Sequence, residues 1–91
     1  MPVLVTIDIP GGTKQQYEQV IGTVFLQGKL PEGILLHLAG PTENGWRVVN
    51  VVRSREQFEE FAREKLVPAT QEVGDAPPQM TFIPIYRMIR D

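Results

Sequence analysis

Three side chains interrupt the two most apolar stretches of this chain. His37 lies within Ile34-Leu35-Leu36-His37-Leu38-Ala39, and Trp46 and Asn50 lie within Trp46-Arg47-Val48-Val49-Asn50-Val51-Val52. Histidine changes charge near neutral pH and can pass a proton either way, provided a neighbour fixes its tautomer. A carboxylate beside it would hold it as a base, whereas Asn50 offers only a neutral hydrogen bond. Trp46 brings a broad amphipathic wall. Tyr17 brings a phenol that orients a ligand or bonds a carbonyl. With one histidine, no cysteine and no second ligand two to four residues from His37, a metal site, a disulfide and a thiol nucleophile are not expected. No cofactor motif is visible, and catalytic residues are not assigned.

Whether His37, Trp46 and Asn50 meet depends on how the two runs pair. The segment Gly40-Pro41-Thr42-Glu43-Asn44-Gly45 between them predicts a hairpin. If Asn44-Gly45 is a two-residue type I′ turn, Glu43 opposes Trp46, and His37 falls on the face of Trp46, Val48 and Asn50. A one-residue slip reverses this. Neither run alternates apolar with polar, so both faces of the pair need cover that so short a chain supplies poorly. A second copy of the chain is the implied partner.

The elements around the hairpin are marked by their own signals. A first strand over about Val3 to Ile9 ends at Pro10-Gly11-Gly12. Thr13 and Gln16 form a capping box for a helix whose stripe is Tyr17, Val20, Ile21 and Val24, with Gly28 as its C-terminal cap. Gly22 reads as a tolerated glycine inside that helix, at a cost of up to about 1 kcal/mol against alanine. Ser54 and Gln57 form a second capping box. The helix that follows buries Phe58, Phe61, Ala62, Leu66, Ala69 and Val73, carries a Glu59–Arg63 pair on its charged face, and should kink or restart near Leu66 because of Pro68. After the loop Gly74-Asp75-Ala76-Pro77-Pro78, a last strand runs from Met80 through Ile89, with Pro84 assigning it to a sheet edge or a bulge.

The order β-α-β-β-α-β predicts an α+β fold, a ferredoxin-like sandwich with a four-stranded antiparallel sheet, and residues 1–91 read as one such domain. Ninety-one residues, 42% of them apolar, suit one small core whose marginal stability association would raise. The net charge of −2, without a cluster of basic residues, argues against nucleic acid as a partner. No leader or membrane span is visible, so a cytoplasmic protein is expected. Arg47, Arg53, Arg87 and Arg90 read as solvated residues at strand ends.

The segments Pro31-Glu32-Gly33-Ile34-Leu35-Leu36-His37-Leu38-Ala39-Gly40-Pro41-Thr42, Gly45-Trp46-Arg47-Val48-Val49-Asn50-Val51 and Ser54-Arg55-Glu56-Gln57-Phe58-Glu59-Glu60-Phe61 resemble small bacterial proteins of the dimeric α/β-barrel superfamily. These lie near the antibiotic-biosynthesis-monooxygenase-like domains. The resemblance implies two four-stranded sheets packed face to face across a two-fold axis, with helices outside. In that pattern an acidic residue often replaces Asn50 and a tryptophan replaces Val52, so general-base chemistry at His37 departs from it. Two functions stay open. One is binding of a small apolar or aromatic molecule between helices and sheet, near His37, Trp46, Asn50 and Tyr17. The other is a cofactor-independent monooxygenase, in which a deprotonated aromatic substrate gives electrons to oxygen.

Overall fold

The computed structural model describes residues 2–91. Its elements are β1 (Val3–Pro10), α1 (Lys14–Val24), β2 (Ile34–Thr42), β3 (Gly45–Val52), α2 (Arg55–Phe61), α3 (Val67–Glu72) and β4 (Gln79–Pro84). The four strands form one antiparallel sheet in the order β2-β3-β1-β4, with the helices on one face. This is the predicted ferredoxin-like arrangement. Among the described residues no helix is long and apolar enough to cross a membrane.

Side-chain parity builds the core. Val5, Ile7 and Ile9 of β1 pair with Asn50, Val48 and Trp46 of β3, so one set of alternate residues from each strand faces the helices. Val5, Ile7, Ile9, Val48 and Val52 are buried there under Phe58 and Ala62. The capping box at Thr13 and Gln16 is present in both directions and starts α1, which buries Val20 and Val24. Gly22 is exposed and a side chain there would meet nothing, in keeping with a tolerated glycine.

Several local expectations are corrected. The hairpin turn is Glu43-Asn44, with Thr42 paired to Gly45, and neither turn residue has positive φ, so it is not type I′. Gly45 is committed elsewhere. It pairs with Pro10 of β1, and a Cβ on it would strike the Ile9 carbonyl oxygen, so its lack of a side chain serves strand approach rather than the turn. The register moves by two residues and parity survives, leaving His37 directly opposite Asn50. A bulge between Ile34 and Leu36 brings Ile34 and His37 to the same face although they stand three positions apart.

Helix α1 stops at Val24, before the predicted cap. Phe25 leaves helical geometry, and a single 3₁₀ turn, Leu26–Gly28, follows, in which the positive φ of Gly28 closes the turn. The second capping box is half formed. Ser54 Oγ accepts from the Gln57 amide, while the Gln57 side chain lies over Gly33, where a Cβ would collide with it.

Pro68 acts as expected in kind. Lacking an amide proton, it cannot complete an α-helical ladder, and the chain widens into a π-helical stretch, Ala62–Leu66, whose end is marked by the Val67 amide donating to the Ala62 carbonyl. The widened turn disrupts the i,i+4 spacing, and Glu59 pairs with Arg55 at 3.4 Å instead of with Arg63. The last strand ends at Pro84 and does not continue to Ile89. It is an edge strand, as Pro84 required.

Candidate functional site

The three half-buried groups His37, Trp46 and Tyr17 and the buried Asn50 converge between α1 and the sheet. Parity places His37 and Asn50 on the helix-facing side, and Tyr17 reaches them from the second turn of α1. Tyr17 Oη is 2.6 Å from His37 Nε2, and His37 Nδ1 is 2.7 Å from Asn50 Oδ1. Because Asn50 presents a carbonyl oxygen, which can only accept, Nδ1 carries the proton. Nε2 then accepts the Tyr17 hydroxyl proton. The Tyr17 and His37 rings are nearly parallel, their planes 4° apart and their centroids 5.9 Å apart. Phe25 packs edge-on against His37 at 4.7 Å, and Trp46 lies 5.2 Å from Tyr17. The premature end of α1 is what lets Phe25 make this contact.

Burial, reinforced by the neighbouring Glu18 charge, pushes the Tyr17 hydroxyl above the ordinary tyrosine range. At neutral pH it is a neutral phenol whose proton points at the imidazole. Its oxygen lone pairs remain able to accept from a ligand hydroxyl.

Two further polar atoms in this cleft have no hydrogen-bond partner among the described residues: the Trp46 indole Nε1 and the Asp75 carboxylate Oδ1. Asp75 is the residue that the sequence reading passed over. It follows Gly74, whose φ of +81° ends α3. The Gly74 amide donates to the Gln71 carbonyl and the Asp75 amide to the Thr70 carbonyl, the two bonds of a Schellman motif. That motif usually sets an apolar residue, here Asp75, against the last helical turn, and Thr70 and Asp75 do line the cleft together. The available signal was Gly74 after a helical run, which aims the next side chain back at the helix.

Asp75 lacks compensation for its burial, and desolvation raises its carboxyl above the ordinary 3.8. Below that value the group is protonated in folded and unfolded chains alike and contributes nothing. Above its folded pKa it is ionised in both and the desolvation penalty is complete, so its contribution falls as pH rises through the carboxylate range. Asp75→Asn is therefore expected to raise the melting temperature at neutral pH and to leave it unchanged near pH 3. Melts of both proteins across that range check this, and coincident curves would mean a solvated carboxyl.

The lining is otherwise apolar, and the space left unfilled is about 40 Å³, room for roughly three waters. No group of three His, Cys, Asp or Glu side chains that could hold a metal occurs among the described residues. Of the arginines, Arg47 turns to the opposite face and bonds Asp8 at 2.6 Å.

No family model and no curated protein matches the chain. Its backbone is similar to a crystal structure from Deinococcus radiodurans, a protein whose assignment as an antibiotic biosynthesis monooxygenase is itself provisional. The match has a TM-score of 0.62 and covers 100% of this chain and 98% of that one. The two chains share one fold. At 10% identity the likeness concerns the backbone path alone.

Proposed function

We propose that two copies of this chain associate through the sheet face opposite the helices, and that each helix–sheet cleft binds a small planar aromatic molecule bearing a hydroxyl. The observation that carries the ligand is the chain Tyr17–His37–Asn50, which ends in an apolar cleft on a hydroxyl oxygen with accepting capacity to spare. A phenol fits both halves of that description: its ring meets the Trp46 and Phe25 side, and its proton goes to Tyr17. The unfilled space is small, so a ring is admitted only as side chains move apart. The dimer rests on Leu36, Leu38 and Ile83, which are 46%, 55% and 49% exposed on the face away from the helices.

A second reading is favoured by the 2.6 Å Tyr17–His37 bond. As the ligand proton passes to Tyr17 Oη, the Tyr17 proton passes to His37 Nε2, leaving an aromatic anion able to give electrons to dioxygen. This is the cofactor-independent monooxygenase. Asn50 weakens it, because a neutral amide steadies an imidazolium less than a carboxylate would.

Planar phenols and quinones are expected to quench the lone tryptophan. Tyr17→Phe and His37→Gln should weaken that binding on the order of 10-fold, about the effect of one lost hydrogen bond, with the melting temperature kept. Oxygen uptake with bound phenol tests the second reading. Absence of quenching by any compound would make the cleft plain core.

A further inference from the structure

We infer that Trp46 Nε1 and Asp75 Oδ1 form a second polar subsite in the same cleft, built to receive a hydroxyl group on the ligand edge away from Tyr17. The inference rests on the reading of the cleft as a phenol site and adds what the other end of the ligand must carry.

Each of these two atoms is shielded from solvent and without a hydrogen-bond partner among the described residues, at a cost a folded chain ordinarily avoids. They are an unmatched donor and an unmatched acceptor in one apolar cleft. Both belong to the end of the cleft at the start of α1. Trp46 Cβ would lie 3.1 Å from a Cβ on Gly12, just before the Thr13 cap. Gln16 Nε2 donates to the Val73 carbonyl at 3.1 Å, tying the loop that carries Asp75 to the first turn of α1. On β3, Trp46 and Asn50 are four residues apart, which separates this end from the Asn50–His37 end by roughly 13 Å of strand. Tyr17 Oη, bonded to His37 Nε2, belongs to the Asn50–His37 end.

The backbone leaves Asp75 little freedom. Its amide is held by the Thr70 carbonyl, and the motif turns its side chain onto α3, where an apolar residue would be the ordinary occupant. Thr70 cannot satisfy the carboxylate, because its hydroxyl donates to the Val67 carbonyl at 2.8 Å. The chemistry of the pair selects the ligand group. An indole N–H only donates and a carboxylate only accepts, so one group must accept from Trp46 and donate to Asp75. A hydroxyl does both with one oxygen. An ammonium cannot accept, and an ether cannot donate. The ligand class is therefore a phenol with a second hydroxyl at the far edge of the ring, on the ring or one carbon beyond it.

A matched set of single-ring probes tests this: 4-methylphenol, 4-hydroxybenzyl alcohol and the benzylic methyl ether of that alcohol. The lone tryptophan gives one indole N–H resonance, and its shift on titration reports both affinity and hydrogen bonding. The expected result is that the alcohol binds on the order of 10-fold tighter than either comparator and moves the resonance downfield. In Asp75→Ala this gain disappears while 4-methylphenol binding stays. If 4-methylphenol binds and the alcohol is no tighter, or if the gain survives Asp75→Ala, the subsite is refuted and the phenol reading stands. A ligand-free Asp75→Ala protein whose indole resonance moves upfield would show that the two groups already bond each other, which also refutes it. If none of the three binds, the phenol reading falls and the subsite with it.

Discussion

Replacing Phe58 with alanine is expected to lower the unfolding free energy by about 3 to 5 kcal/mol, the usual effect of emptying a buried phenylalanine site. Phe58 is 3% exposed and stands one turn after the Ser54 cap. Its ring packs against Phe61 at 5.8 Å and edge-on against Phe82 of β4 at 6.2 Å, which ties α2 to the sheet edge. The cavity would open between a helix and an edge strand. Neither side can close the gap easily, because Pro68 and the π-helical turn hold the line of the helix while Phe82 is fixed by the pairing of β4 with β1. Denaturant unfolding at one protein concentration measures the loss. A change below about 1 kcal/mol would mean that the apolar face of α2 does not anchor the helix.

That face was legible because it rests on helical periodicity, which one sequence displays directly. So were the caps at Thr13 and Ser54, each a local bond between residues three apart. The meeting of His37 with Asn50 was legible for a subtler reason. Face depends only on register parity, so placing the turn one residue late, which moves the pairing register by two, left the conclusion intact. What escaped the sequence depends on distant partners. Gly45 looked like a turn glycine because nothing local reveals that the Ile9 carbonyl will press on it. The Glu59–Arg63 pair assumed α-helical spacing through a stretch that Pro68 converts to a π-helix. Asp75 looked like loop polarity because its role depends on the cap geometry of α3 and on a cleft assembled from β3 and α1. The alternating pattern after Pro84 suggested a longer strand. β1, the neighbour that pairs with β4, starts at Val3, already opposite Pro84, and beyond it only the Ile85 amide still reaches a carbonyl of that segment, that of Pro2.

The partly exposed sheet face opposite the helices supports the other large effect. Leu38→Glu is expected to convert the proposed dimer, of twice the 10.3 kDa chain mass, into a monomer at micromolar concentration. Leu38 lies on β2, at the sheet edge, and its side chain points away from the helices beside Leu36. An apolar surface of this kind needs cover. Beyond Pro84, Tyr86 and Ile89 add ring and aliphatic surface at 92% and 84% exposure. Stable interfaces between identical chains bury upwards of roughly 2,000 Å² in total, a demand that an open four-stranded sheet face plus an apolar tail can meet. A two-fold interface contains each substituted position twice, so one glutamate per chain buries two carboxylates. Each unpaired buried carboxylate costs several kcal/mol, so the dissociation constant should rise on the order of 100-fold or more. Light scattering on the two proteins measures the mass. The same charge at Gln19, exposed on α1, should leave the mass of the parent unchanged. A parent chain that already scatters as a stable monomer at micromolar concentration would remove the dimer, and the exposed leucines would then need another occupant.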